Sequence, residues 1–207
     1  HNYKIFNIGI WDKEDEIEIN LCKKPWVSSY YLPNDDFIKR FSQKERFEIV
    51  GKEKIKTKKL DDLDIKEQDF IKIDIQGGEL SVLKGSDKTL ANCIGLELEI
   101  EFLEIYEKQP LFGDITSYLK ERNFEFIDFV SLNRWERNKY ESFGQTTFGD
   151  ALFLRTPEFL LSNFKNHEAI IRKYIAIYIL YNRFDLIDIV IKSIERENII
   201  EIEKIYK

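Results

Sequence analysis

The stretch Phe70 to Gly85, FIKIDIQGGELSVLKG, constrains the fold more than any other segment of the chain. A run with β-branched alternation carries Lys72, Asp74 and Gln76 on one face, breaks at Gly77 and Gly78, and restarts with helical spacing behind Glu79. A strand that stops at two glycines and continues as a helix is the repeating unit of an α/β sheet. In open sheets of that kind ligands sit beyond the carboxyl ends of the strands, where glycine removes the side chains that would keep them from the backbone. Asp74, Gln76, Gly77, Gly78 and Glu79 are therefore the first candidates for a site. The competing reading is a plain strand-to-helix turn in which Asp74 and Glu79 cap the helix.

The rest of the chain supports alternation. Tyr3 to Trp11 and Ile17 to Leu21 read as strands that pair across the acidic turn Asp12 to Glu16. A loop from Lys23 to Asn34 and a short helix from Asp35 to Ser42 lead to Ile49 to Leu60, a charged segment with the alternation of an edge strand. Phe70 to Ile75, Ile94 to Phe102, Phe124 to Val130 and Ala151 to Leu154 read as further strands. A polar, aromatic loop with Trp135 and Gly144 separates the last two. Gly78 to Lys84 begins a helix, and Leu111 to Arg122 has an amphipathic helical period. From Pro157 the pattern becomes helical, about His167 to Tyr181 and Phe184 to Ile194. The expected organisation is a domain over 1–156 and a helical hairpin over 157–207 that packs on the domain or on a second subunit of a homodimer.

Composition removes several classes. With 207 residues, 43% of them hydrophobic, the chain buries one good core. A net charge of −6 gives no attraction to nucleic acid or anionic lipid. The longest apolar run, Ile175 to Tyr181, is far short of the roughly 20 residues that span a membrane. Cys22 and Cys93 have neither CxxC spacing nor histidine companions, so they read as reduced thiols in a cytoplasmic protein. The chain begins at His1 and contains no methionine, so coding sequence upstream is expected.

The segment LDDLDIKEQDFIKIDIQGGELSVLKGS, Leu60 to Ser86, resembles the central signature of the FkbM family of methyltransferases. That signature has an LDD element, a K-I-D strand, E/Q-G-x-E and a closing K-G. The likeness continues through IGLELEIEF, QPLFGDI and FGDALFLR and backwards through SSYYLPN, over about residues 3 to 155. The resemblance implies a class I, Rossmann-like α/β sheet and transfer of a methyl group from S-adenosylmethionine to a hydroxyl of a glycan, lipid or small-molecule acceptor. The family's first strand, with its D-x-G-A-N-x-G loop, and its acid-ended second strand precede the region that matches Tyr3 to Asp12. The sheet is therefore expected to lack its first two strands, which in the family order 3-2-1-4-5-7-6 lie at the centre. By the same resemblance Ile10, Trp11 and Asp12 line the adenine, and Asp74 with Gln76 to Glu79 faces the methyl donor and acceptor. Ser28 and Ser29 match the family's paired serines.

The remaining constellations keep alternatives open. Glu97, Glu99 and Glu101 alternate in GLELEIEF and read as an acidic face partnering Lys72, or as a metal site with Asp74, as in metal-dependent O-methyltransferases or in a carboxylate-metal hydrolase. Trp26, Tyr30, Tyr31 and Trp135 are core aromatics or platforms for an acceptor. His167 lies at the start of the helical hairpin, away from every motif. For methyl transfer, Asp74 is the first candidate for general base and Glu99 the second, with Lys72 on the same strand face. A truncated, non-catalytic interaction module is the rival from another class. Lys72, read as buried in a central strand, is predicted to lie within about 4 Å of Asp74 or one of the three glutamates.

Overall fold

The computed structural model describes residues 3–65, 68–137 and 143–196, and its strands form two sheets. In the smaller sheet, β1 (Gly9–Ile10), β2 (Asp15–Cys22) and β3 (Ile49–Lys58) are ordered β1-β3-β2, parallel at β1-β3 and antiparallel at β2-β3. Two sequence expectations are corrected here. The first two strands do not pair with each other, and β3 is the centre of its sheet rather than an edge. Its lysines hid this position, because they are used across the strand pair: Lys52 meets Glu18 at 2.6 Å and Lys54 meets Glu16 at 3.2 Å. Charge on a strand reports one wet face and says nothing about how many neighbours its backbone has. The acidic turn is tied back to β3 by Thr57, whose hydroxyl contacts the carbonyls of Lys13 and Asp15 at 3.1 and 3.3 Å.

The larger sheet joins β4 (Phe70–Ile73), β5 (Gly95–Glu101), β6 (Glu125–Trp135) and β7 (Gln145–Leu154) in the order β4-β5-β7-β6. β4 and β5 are parallel; β7 runs antiparallel to both β5 and β6. β6 extends to Trp135, so this residue belongs to a strand and not to the expected loop. Three register shifts, between Phe126 and Asp128, Phe129 and Ser131, and Asn133 and Arg134, break the side-chain alternation and conceal its length. Between strands lie α1 (Asp35–Ile38), α2 (Glu79–Lys84), α3 (Asp87–Asn92) and α4 (Phe112–Lys120), followed by α5 (Pro157–Phe164), α6 (Glu168–Leu180) and α7 (Phe184–Arg196). α3 and α5 were not foreseen. α3 is short and takes its N-terminal cap from a remote residue, since the Asp61 carboxylate of the LDD element accepts from the backbone N–H groups of Lys88 and Thr89, both at 2.8 Å.

Each face of the large sheet has its own core. Leu96, Leu98 and Ile100 of β5 with Ala151 and Phe153 of β7 pack against Val82, Leu83, Leu90, Ile115 and Leu119 from α2, α3 and α4. The opposite face is divided along its length. Its half near the start of β5, with Ile94, Leu152 and Leu154, is covered by Ile171, Tyr174, Tyr178, Ile187 and Val190 of α6 and α7. Its other half carries Glu97, Glu99, Glu101 and Asp150 and is left polar. The C-terminal helices thus pack on the sheet of this chain; residues 197–207 of the expected hairpin lie outside the described residues. Arg155 pins the seam from beneath, donating to the carbonyls of Cys93, Leu90, Ala91 and Arg122 at 2.8 to 3.2 Å between the rings of Phe124 and Phe159.

One close approach joins the two sheets. A Cβ on Gly85, at the end of α2, would lie 2.1 Å from the backbone oxygen of Trp11. Neither backbone can yield cheaply, so Gly85→Ala is expected to destabilise the fold by about 1 to 3 kcal/mol. Urea unfolding of residues 1–207 measures this, and an unchanged midpoint would show that the turn at Trp11 moves freely relative to α2.

Candidate functional site

The loop after β4 is held in a conformation that its sequence permits at a cost. Gln76 has φ 62° and Gly77 φ 95°, two successive left-handed residues of which only the second is a glycine. Two contacts hold it. Glu79, buried at the first turn of α2, reaches back to accept from Ile75 N–H at 2.9 Å. Ser29 Oγ donates to the Gln76 carbonyl at 2.7 Å. The Ser29 segment is itself fixed by Asn20, whose side-chain amide donates to the carbonyls of Ser29, Tyr30 and Tyr31 at 3.1 to 3.3 Å. Ser28 Oγ accepts from Cys22 N–H at 3.0 Å, so the paired serines strap the small sheet to the loop.

Beside that loop lies a cavity of about 630 Å³. The ends of β4 and β5 contribute Asp74, Gln76, Glu99 and Glu101 to it, the segment after β5 contributes Tyr106, the turn before β3 contributes Arg46 and Phe47, and β6 and β7 contribute Trp135 and Phe148, with exposed Trp26 at its margin. Gln76 is the hub. Its amide nitrogen donates to Asp74 Oδ1 at 3.2 Å and to Glu99 Oε2, while its oxygen lies 3.0 Å from the hydroxyl of buried Tyr106. The same Tyr106 hydroxyl lies 3.0 Å from the Val27 carbonyl.

The electrostatics follow from four carboxyl groups sharing a small space. Burial, then the charges of Asp74 and Glu79, pushes Glu99 up to about 9. Burial, then Glu79 and Glu99, holds Glu101 well above the usual carboxylate range. Burial raises Glu79 to about 7, against the opposing pull of the Ile75 N–H. Raised to about 9, Glu99 favours its protonated form at neutral pH, a form able to donate to the neighbouring Asp74 carboxylate. Asp74 is the member of this group that reaches solvent. The arrangement suits proton acceptance at Asp74, with protonated Glu99 as its hydrogen-bond donor.

Of the residues singled out from sequence, Asp74, Gln76 and Glu99 meet at this cavity, and Glu79, Gly77 and Gly78 shape the loop beneath it. Ile10, Trp11 and Asp12 come alongside: a Cβ on Gly78 would lie 2.6 Å from the Trp11 ring, and Trp11 N–H donates to Lys58 O at 2.9 Å. Asp12 Oδ1 is buried and has no hydrogen-bond partner among the described residues. Lys72 stands apart. It contacts Glu97, and Asp150 at 3.2 Å, which meets the predicted contact, but its side chain is 52% exposed because β4 ends its sheet among the described residues. The premise of a buried, central lysine is corrected accordingly. Glu97 also accepts from the Tyr181 hydroxyl at 2.7 Å, so it is drawn away from Glu99 and Glu101. Among the described residues no group of three or more histidine, cysteine or acidic side chains is arranged to hold a metal.

Arg46 and Tyr106 were missed by the sequence reading. Tyr106 follows the acidic strand in a segment without period, and Arg46 belongs to a four-residue 3-10 helix, Lys44–Phe47, so neither stands in a pattern that marks a site. No helix among the described residues is long and apolar enough to cross a membrane.

No curated protein and no solved structure matches the chain. The family model described as the methyltransferase FkbM domain matches residues 1–126, from the first residue into β6, and so takes in both Trp11 and the whole Asp74 to Glu79 loop. With more than half its length in that match, and with the matched residues furnishing nearly all of the polar lining just described, the chain belongs to the FkbM methyltransferase family.

Proposed function

We propose that this chain forms the acceptor-facing part of an S-adenosylmethionine-dependent O-methyltransferase that acts on a hydroxyl of a glycan, lipid or small molecule. The observation that carries the reading is the meeting of Asp74, Gln76 and Glu99 at the mouth of a cavity beyond the carboxyl ends of two parallel strands. The order β4-β5-β7-β6, with β7 antiparallel, agrees with the 4-5-7-6 side of the class I arrangement. The orphaned Asp12 Oδ1 suits the donor of an adenine amino group, so the residues present fit the cofactor. Ile10 to Asp12 would hold its adenine edge, and Asp74 with Gln76 to Glu79 its methyl end. When bound, the cofactor supplies an electrophilic methyl on a sulfonium.

The chain's own residues then do the following. Asp74, whose carboxylate is exposed at the cavity, would accept the proton of the acceptor hydroxyl. Gln76 and protonated Glu99 hold the Asp74 carboxylate, and the aromatic residues keep the acceptor in line.

Calorimetric titration with S-adenosylmethionine tests the reading on residues 1–207 and on the chain extended by its upstream coding sequence. The resemblance assigns the glycine-rich turn and the ribose-binding acid to strands outside the matched residues, and a site without their two or three charge-assisted hydrogen bonds, each worth roughly 1.5 to 3 kcal/mol, is weakened by orders of magnitude. Residues 1–207 are expected to bind negligibly and the extended chain at about micromolar Kd. Release of S-adenosylhomocysteine over a panel of hydroxylated acceptors then finds the substrate. Tight binding by residues 1–207 would mean that the cofactor site is misplaced, and no binding by the extended chain would favour the non-catalytic module.

A further inference from the structure

The cavity holds one group that the proton-transfer scheme leaves unused. Arg46 lies with its guanidinium 4.3 Å from the centre of the Trp135 ring and 4.9 Å from that of Phe47. Its Nη1 donates to Gln43 Oε1 at 3.2 Å, and its Nε is buried with no partner. Among the described residues no carboxylate pairs with it, although Glu99 and Glu101 line the same cavity. A half-buried cation is ordinarily paired, and this one is fixed by aromatic stacking instead. Backbone contacts hold its segment too, since Lys24 N–H donates to the Arg46 carbonyl at 3.1 Å. A second hollow beside the first is lined by Arg46 together with Lys44, Arg134 and one acid, Glu136, so cations outnumber acids at this end of the site while the Asp74 end is acidic. Lys24, over the ring of Trp26, adds charge at the margin.

We infer that the acceptor is a hydroxylated molecule with an anionic group, a sugar acid or a sugar phosphate, whose carboxylate or phosphate is taken by Arg46 while a hydroxyl faces Asp74. This deepens the methyltransferase reading and rests on it. Guanidinium suits both anions, because its planar fork gives two parallel hydrogen bonds. A cavity of about 630 Å³ suits a ligand of one or two sugar units. Burial raises Glu99 and Glu101 of the opposite end, so these two present hydroxyl-binding groups rather than a repelling charge.

Trp26 and Trp135 line the cavity, so tryptophan emission reads binding directly and without cofactor. D-glucuronate, D-glucose 6-phosphate, D-glucose and D-glucosamine are titrated into the protein and into Arg46→Gln and Arg46→Lys, with circular dichroism to check folding. At least one anionic sugar is expected to bind about 10- to 100-fold more tightly than glucose, and which one does so distinguishes carboxylate from phosphate. Arg46→Gln is expected to erase the preference, Arg46→Lys to restore part of it, and added salt to weaken it. If Arg46→Gln does not fold, the lysine variant and the salt dependence decide. Equal binding of glucose, tighter binding of glucosamine, a preference that survives Arg46→Gln, or no response to either anion up to about 10 mM overturns the inference. Binding through Arg46 without any methyl transfer would overturn the proposed reaction alone, and transfer to neutral acceptors indifferent to Arg46 would overturn this inference alone.

Discussion

Asp74→Asn is expected to lower the rate of methyl transfer by about 10²- to 10⁴-fold, the span that a positioned general base contributes. Asp74 is exposed, so its replacement leaves the core untouched. Asparagine keeps an oxygen for the Gln76 amide at the Oδ1 position, so the loop geometry survives and only proton acceptance is lost. Glu99→Gln is the informative partner experiment. Glu99 already carries a proton at neutral pH, so an amide there continues to donate a hydrogen bond, and the rate is expected to stay within about tenfold of the parent. Both variants are assayed on the chain with its upstream coding sequence, against the acceptor found by the panel. If Asp74→Asn keeps a third or more of the parental rate, the reaction runs on positioning alone or on another base, and the role given to Asp74 is wrong.

Much of what surrounds Asp74 was legible because it is local. Two glycines after an alternating strand and before a helical period leave few conformations, and Phe70–Ile73, the left-handed turn at Gly77 and helix Glu79–Lys84 follow within a residue or two of the pattern. What was not legible depends on distant partners. β3 has the charge pattern of an edge strand, yet its backbone lies between β1 and β2, a fact carried by hydrogen bonds that have no side-chain signature. β6 loses its alternation at three bulges. The same distinction divides the site. Asp74, Gln76 and Glu79 stand in one motif, whereas Arg46, Tyr106 and Trp135 arrive from segments separated by tens of residues and meet only through tertiary packing. Lys72 shows the limit of strand alternation: the face it shares with Glu97 was foreseen, but its exposure depends on what lies beyond β4.

Glu99→Gln is also expected to change how stability depends on pH. Burial raises Glu99 from about 4.5 to about 9 and Glu79 to about 7, and it raises Glu101 in the same direction. Between those limits the folded chain holds protons that the unfolded chain has released. Unfolding then releases protons, so stability is highest below about pH 4.5 to 5 for these groups and falls as the pH rises towards 9. At about 1.4 kcal/mol per pKa unit, and discounted for relaxation of a crowded acidic cluster, Glu99 accounts for about 2 to 4 kcal/mol of that fall. Carboxyl groups with lowered values, such as Asp87 beside Arg122, act in the opposite sense, but they act below about pH 4 and leave this window alone. For a chain of 207 residues the loss corresponds to a melting temperature lower by about 5 to 15 °C at pH 9 than at pH 5. Glutamine fills the same volume and never ionises, so Glu99→Gln should match the parent near pH 5 and exceed it by about 2 kcal/mol at pH 9. Thermal unfolding of residues 1–207 at half-unit steps of pH reads both curves. A parent curve that is flat or rises from pH 5 to 9, or a variant less stable than the parent at pH 9, would show that Glu99 is ionised in the folded chain, and with it the assignment of Glu99 as a hydrogen-bond donor to Asp74 would fall.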